Sequence, residues 1–144
     1  MEIKIKKISP SAKMPVKSYE FDAGFDFYCT AIIETPNYIE YHTGITLDIP
    51  QGMVGLLFPR SSVTNKDLML KNSIGVIDSG YHGEILFRFA DIKQYTVTQV
   101  KEVYAVGDRI GQIIFIPIPE ITLLEVDELP ESLRGTNGLG SSGK

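Results

Sequence analysis

The chain has 144 residues, 43% hydrophobic and 22% charged, which is the length of one domain and enough apolar content for a sizeable core. A formal charge of −4 argues against a nucleic-acid-binding surface, which is usually strongly basic, and no apolar run approaches the roughly 20 residues of a membrane helix. The first residues, Met1-Glu2-Ile3-Lys4-Ile5-Lys6-Lys7, lack the unbroken apolar segment of a secretory signal, so a cytoplasmic protein is expected, in the host cytoplasm if the source is viral.

In chain order, period-2 alternation recurs. Ile3-Lys4-Ile5 opens it, and Ile45-Thr46-Leu47-Asp48-Ile49 continues it. Between them lies the lone cysteine, Cys29, which offers no disulfide or zinc framework and reads as a small core residue. The runs Met53–Phe58, 85–89 and 113–116 are denser in apolar residues and suit strands buried on both sides. Residues 61–68 are polar and predict a short helical turn with a hydroxyl N-cap. Residues 75–85 read as strand, tight turn, strand, a hairpin with Asp78 and Tyr81 at its tip. An acid beside an aromatic face suits a general base beside a platform for a ring, and equally suits an ordinary turn; the local pattern alone favours the turn. Tyr95-Thr96-Val97-Thr98 and Ile121-Thr122-Leu123 add two further alternating runs. Turn signals such as Pro50-Gln51-Gly52 and Val106-Gly107-Asp108 separate these pieces, and many short strands at that spacing mean an all-β sandwich or barrel with at most one short helix.

From Pro130 the texture changes. Arg134-Gly135-Thr136-Asn137-Gly138-Leu139-Gly140-Ser141-Ser142-Gly143-Lys144 cannot build a core, so residues 1–130 are expected to form one β domain and 131–144 a flexible arm. Gly138-x4-Gly143-Lys144 imitates the start of a phosphate loop, but the following hydroxyl and helix are missing and the nucleoside-triphosphatase reading is rejected. Glycine-freed N–H groups, two hydroxyls and Arg134 still suit wrapping a phosphate. The negative net charge does not exclude such a ligand, since a few placed arginines and a cation suffice to hold it.

Five segments stand out together: Ala23-Gly24-Phe25-Asp26-Phe27, Pro59-Arg60-Ser61-Ser62, residues 75–85, Gly107-Asp108-Arg109-Ile110-Gly111-Gln112, and the tail from Arg134. In this order and spacing they resemble the five motifs of the trimeric deoxyuridine triphosphatases (dUTPases), from about residue 20 to the end. The resemblance implies a distorted β-barrel of jelly-roll type, a homotrimer whose active sites are shared between subunits, and hydrolysis of dUTP to dUMP and pyrophosphate. That reaction keeps uracil out of DNA and supplies dUMP for thymidylate synthesis.

By the same resemblance, Asp78 is the general base that activates a water for attack on the α-phosphorus. Tyr81 packs its ring under the deoxyribose, where a 2′-hydroxyl has no room. Gly75, Val76 and Ile77, with Asn72, form the uracil pocket, where backbone groups copy a base-pairing edge. Arg60, Ser61, Ser62 and Gln112 contact the phosphate chain. Asp26 holds Mg2+ indirectly, through a bound water, which suits an ion that takes most of its ligands from phosphates and water. Arg134, Leu139, Gly140, Ser141 and Ser142 belong to an arm that closes over the site. Asp108 and Arg109 are read instead as serving the fold, through a turn and an ion pair.

The sequence departs from the family pattern at Leu139, where phenylalanine is usual, at Ser142, where threonine is usual, and across Thr64-Asn65-Lys66-Asp67. Two other functions compete. The homologous dCTP deaminases carry a catalytic glutamate at a position that falls on Arg88 here, which disfavours that chemistry. A regulatory protein partner, as some phage members of the family have, would find candidate surfaces at 63–68 or 90–104.

Overall fold

The alternation in the sequence becomes nine strands and one short 3-10 turn among the described residues, which are 1–92 and 102–138 of a computed structural model. The strands are β1 (Lys4–Lys7), β2 (Phe25–Tyr28), β3 (Ala31–Glu34), β4 (Ile39–Asp48), β5 (Met53–Phe58), β6 (Leu68–Leu70), β7 (Gly75–Ile77), β8 (Glu84–Asp91) and β9 (Arg109–Pro117). One sheet runs β1-β4-β8-β6, with β3 also paired to β4; the other runs β2-β9-β5-β7. All pairings are antiparallel. Apart from β3 to β4, each step along the chain crosses from one sheet to the other, so the two layers are stitched together at both ends. The all-β architecture of two antiparallel sheets agrees with the sequence expectation.

Inward residues of the long central strands build the core between the layers. Tyr41, Ile45 and Leu47 of β4 meet Ile85, Phe87 and Phe89 of β8, and Phe27, Ile110 and Ile113 close the layer from the other sheet. Tyr41 stands edge-on to Phe89 at 5.6 Å and Phe27 tilts against Phe87 at 6.0 Å, arrangements that add to the area these rings bury. Cys29 is part of this core, and burial pushes its thiol up to about 11, which keeps it protonated and inert at neutral pH. Gly111 on β9 has no alternative: a Cβ there would collide with the ring of Phe87.

Several expectations need correction. Residues 75–85 do not form a hairpin, because β7 pairs with β5 in one sheet and β8 pairs with β4 and β6 in the other. The segment between them is a crossing between layers, turned at Asp78 by the Tyr81 N–H donating to Asp78 O (3.2 Å) with Gly80 at φ +80°. The far end of the crossing is pinned by Glu84, whose Oε1 accepts from the Gly44 N–H (2.7 Å) at the point where β4 shifts register.

The helical turn at Ser61–Asn65 exists but is a five-residue 3-10 turn whose N-cap position is Arg60, with no side-chain cap. A turn this short supplies no N-terminal anion site of its own. The dense strands are buried on one face only: β5 alternates buried and half-buried residues, leaving Val54 and Leu56 with Val76, Ile114 and Ile116 of the neighbouring strands on the outer face. Residues 121–123 form no strand, because no described residue pairs with them; Ile121 and Leu123 are exposed. Residues 95–98 lie outside the described residues.

Candidate active site

Strand pairing in the second sheet assembles one half of the site. In the register of β2, β9 and β5, Asp26 and Phe58 both face Gln112, so the start of the chain, its middle and its fourth motif meet on one outer surface. The loop leaving β5 then delivers Pro59, Arg60 and Ser61. Gln112 locks that loop by donating from Nε2 to Pro59 O (3.1 Å), and Gly24 permits the arrangement, since a Cβ there would collide with Gln112 Oε1. Asp26, 7% exposed, is a buried acid, and such a group needs partners to offset its charge. Among the described residues it has two. Its Oδ2 forms an ion pair with Arg60 Nε at 3.0 Å and accepts a hydrogen bond from Arg109 Nη1 at 3.1 Å. Asp26, Arg60, Ser61 and Gln112 line a polar cleft of about 240 Å³, together with Ser18 and Asp22.

The other half lies around the layer crossing. Among the described strands β7 is at the edge of its sheet, so the N–H and C=O groups on its free side have no described strand partner and are available to a planar ligand edge. Asn72 sits just before it, in a turn strained at Ser73 (φ +60°), and its side-chain amide takes no hydrogen bond among the described residues. Tyr81, 45% exposed, brings its phenol end beside Gly83 and donates from Oη to Glu84 O (3.3 Å). A Cβ at Gly83 would collide with that phenol ring, so the glycine fixes where the ring rests. Asn72, Ile77 and Tyr81 line a cleft of about 620 Å³, whose far side is made by Tyr38, Lys71 and Arg88. Arg88 is held there by Glu40 (2.6 Å) and stacks over the Tyr38 ring at 4.8 Å.

The two clefts share no lining residue. Asp78 lines neither; it is exposed at the crossing turn. Ser62 turns inward to Tyr104 Oη (3.1 Å), and Asp108 serves a turn by accepting from the Ala105 N–H (2.8 Å). Arg134 lies in its own turn, donating to Asn137 O (3.1 Å), away from both clefts. Leu139, Gly140, Ser141 and Ser142 lie outside the described residues. Ser18, Asp22 and Lys71 enter the clefts without a motif to mark them: the first two lie in the mixed stretch Ser18-Tyr19-Glu20-Phe21-Asp22, and Lys71 only adjoins Asn72.

Among the described residues no group of three or more His, Cys, Asp or Glu side chains could hold a metal directly. The donor set nevertheless fits a hydrated cation. Asp26 Oδ1 takes no hydrogen bond among the described residues, whereas Oδ2 is occupied by two guanidinium groups, so one carboxylate oxygen is left for a metal-bound water.

With this geometry in view, comparison with known proteins is specific. The dUTPase family model matches residues 10–143. The deoxyuridine 5'-triphosphate nucleotidohydrolase of Tropheryma whipplei (strain Twist) is 36% identical over 133 residues, 90% of this chain and 88% of that protein. Its counterpart from Leifsonia xyli subsp. xyli is 37% identical over 135 residues, covering 91% and 86%. Among solved structures, the dUTPase of Staphylococcus bacteriophage 80alpha with dUpNHpp superposes with a TM-score of 0.82 at 29% identity, covering 99% of both chains, and is described as controlling transfer of virulence genes by a proto-oncogenic G protein-like mechanism. A mutant dUTPase of phage phi11 of S. aureus, with a TM-score of 0.73 at 26% identity over 91% of this chain and all of that one, is described as coordinating a structural Mg(II) ion.

Proposed function

The chain belongs to the dUTPase family, and from that we propose that it hydrolyses dUTP to dUMP and pyrophosphate with Mg2+. The observation that carries the reading is the sorting of the motif residues into two separate clefts. Asn72, Ile77 and Tyr81 gather in a large cleft beside a free strand edge, while Arg60, Ser61, Gln112 and Asp26 gather in a small polar one.

The backbone edge of Gly75, Val76 and Ile77, with the Asn72 amide, reads uracil, because donors and acceptors fixed on a strand leave a mismatched base with unpaired groups. Tyr81 carries the deoxyribose. Arg60, Ser61 and Gln112 hold the phosphate chain, and Ser62, turned inward to Tyr104 Oη, supports their loop from behind. The Asp78 carboxylate takes a proton from a water as its oxygen bonds to the α-phosphorus; the bond from that phosphorus to the bridging oxygen breaks, and pyrophosphate leaves. Mg2+ supplies charge neutralisation and orientation of the triphosphate, and Asp26 holds it through water. Residues 131–144, including Arg134, Leu139, Gly140, Ser141 and Ser142, close over the nucleotide and exclude bulk water.

The active unit is a homotrimer in which these two halves come from different subunits. In support, the half-sites of one chain share no lining residue, the outer face of β5 and β9 is apolar, and Ile121, Leu123, Leu124 and Leu129, on the stretch after β9, are exposed with no described residue covering them. A regulatory protein partner is a further role, with 63–68 and 90–104 as its candidate segments, of which 93–101 lie outside the described residues. The deaminase alternative is disfavoured, since a guanidinium fixed by Glu40 cannot serve as a base.

Hydrolysis in 18O-labelled water tests the reaction: the label is expected in dUMP and absent from pyrophosphate, whereas label in pyrophosphate would place the attack on the β-phosphorus. Two substitutions probe individual contacts. Gly83→Ala displaces the Tyr81 ring and is expected to narrow the preference for dUTP over UTP by about tenfold; an unchanged ratio would count against the ring as the sugar platform. Leu139→Phe restores an aromatic contact over uracil worth roughly 0.5–1.5 kcal/mol, so the Michaelis constant for dUTP is expected to fall about two- to tenfold. An unchanged or higher value would remove Leu139 from the base contact.

A further inference from the structure

Arg60 has two claims on it. The proposed function assigns it to the triphosphate, yet here its Nε is committed to Asp26 at 3.0 Å. Its other contact is a long one, from Nη1 to Ser62 Oγ at 3.4 Å. To reach a phosphate Arg60 must leave Asp26, and an acid whose side chain is only 10% exposed would then stand poorly compensated, which is costly.

Arg109 is placed to meet that difficulty. It is on strand β9 rather than in a loop, paired in register with Tyr28. Its Nη1 reaches the same Asp26 oxygen at 3.1 Å and also donates to Ser18 Oγ at 2.8 Å. Arg109 is thus anchored without Arg60, whereas Arg60 sits at the start of the loop after β5 and has no comparable second anchor among the described residues. The two guanidiniums are therefore not equivalent: one is fixed and one is exchangeable.

We propose that Arg109 is a positioning residue that retains Asp26 while Arg60 exchanges the carboxylate for the triphosphate. Asp26 Oδ1 stays available to a metal-bound water throughout, because the retained contact is to Oδ2. Arg109 touches neither base nor phosphate in this role; it sets how readily Arg60 is released. Without it, Arg60 becomes the sole partner of a buried acid and is held back from the nucleotide. This rests on the dUTPase reading above.

The experiment is a double-mutant cycle on binding of the non-hydrolysable analogue dUpNHpp, measured by calorimetry in EDTA so that neither turnover nor metal affinity enters. Arg109→Gln is expected to weaken binding about tenfold when Asp26 is present, the loss of one charge-assisted hydrogen bond, and by less than about twofold in the Asp26→Asn background, where Arg60 is already free. Equal weakening in both backgrounds would make Arg109 merely structural and overturn the proposal, as would no weakening in either. If Arg109→Gln melts below the assay temperature, Arg109→Lys carries the same comparison, with a smaller effect expected to vanish likewise in Asp26→Asn. Failure of the unmodified chain to bind dUpNHpp would overturn the functional reading and this inference with it; binding by the unmodified chain without coupling overturns this inference alone.

Discussion

Asp78→Asn is expected to lower the rate of pyrophosphate release from dUTP by about 10²–10⁴-fold, the usual contribution of a positioned general base, while leaving nucleotide binding and the melting temperature nearly unchanged. The fold asks little of this side chain. Asp78 is exposed, and what it gives to the layer crossing is its backbone carbonyl, which accepts from the Tyr81 N–H. Asparagine keeps the size and the turn preference of aspartate but cannot accept the proton of the attacking water. The informative comparison is therefore turnover against dUpNHpp affinity in the same preparation. Activity that survives the substitution would remove Asp78 from the chemistry; affinity lost in parallel with turnover would make it a binding residue instead.

Mixing two inactive variants is expected to restore activity. Asp78→Asn lacks the base, and Arg60→Ala lacks a phosphate contact, yet neither change touches the other residue's surroundings, since Asp78 lines neither cleft and Arg60 lines only the polar one. If a complete site takes its base from one subunit and its phosphate contacts from another, random co-assembly at equal amounts leaves each required residue intact with a chance of one half. About a quarter of the sites are then complete, so about a quarter of the unmodified activity should return after co-expression or joint refolding. A site contained in one chain would return none. Arg60→Ala leaves Asp26 with Arg109 as its remaining partner, so melting temperatures are read alongside to show that both variants fold.

The strands were legible where the chain alternates, because period 2 reports which residues face a core whatever strand lies alongside. Met53–Phe58 is a strand with those bounds, and β8 and β9 contain the dense runs at 85–89 and 113–116. Partner choice was not legible. Residues 75–85 have the turn chemistry of a hairpin, yet their two strands join different sheets, because pairing is decided by β4, β5 and β6 elsewhere in the chain. Leu68–Leu70 was hidden at the end of a polar run and became β6 only through its contact with β8. Residues 121–123 alternate well and still form no strand, since alternation shows a face to be covered without saying by what.

The same division holds at the site. The five segments named the residues, but not that Asp26 and Arg109, 83 positions apart, share a hydrogen bond, nor that Arg60 joins them on one oxygen. Those contacts follow from the β2-β9 and β5-β9 registers, which no local pattern encodes. Ser18 and Asp22 enter the polar cleft for the same reason, carried there by the loop that precedes β2.

Pyrophosphate release with Mg2+ from dUTP, dCTP, dTTP and UTP, each offered separately to the unmodified chain, tests the central claim most directly. A base-reading strand edge and a sugar platform predict that kcat/KM for dUTP exceeds each of the others by about 10³-fold or more, because every rejected substrate either leaves polar groups unpaired or forces an extra group into a filled space. Comparable rates with dCTP, dTTP or UTP, or release of ammonia from dCTP, would contradict it.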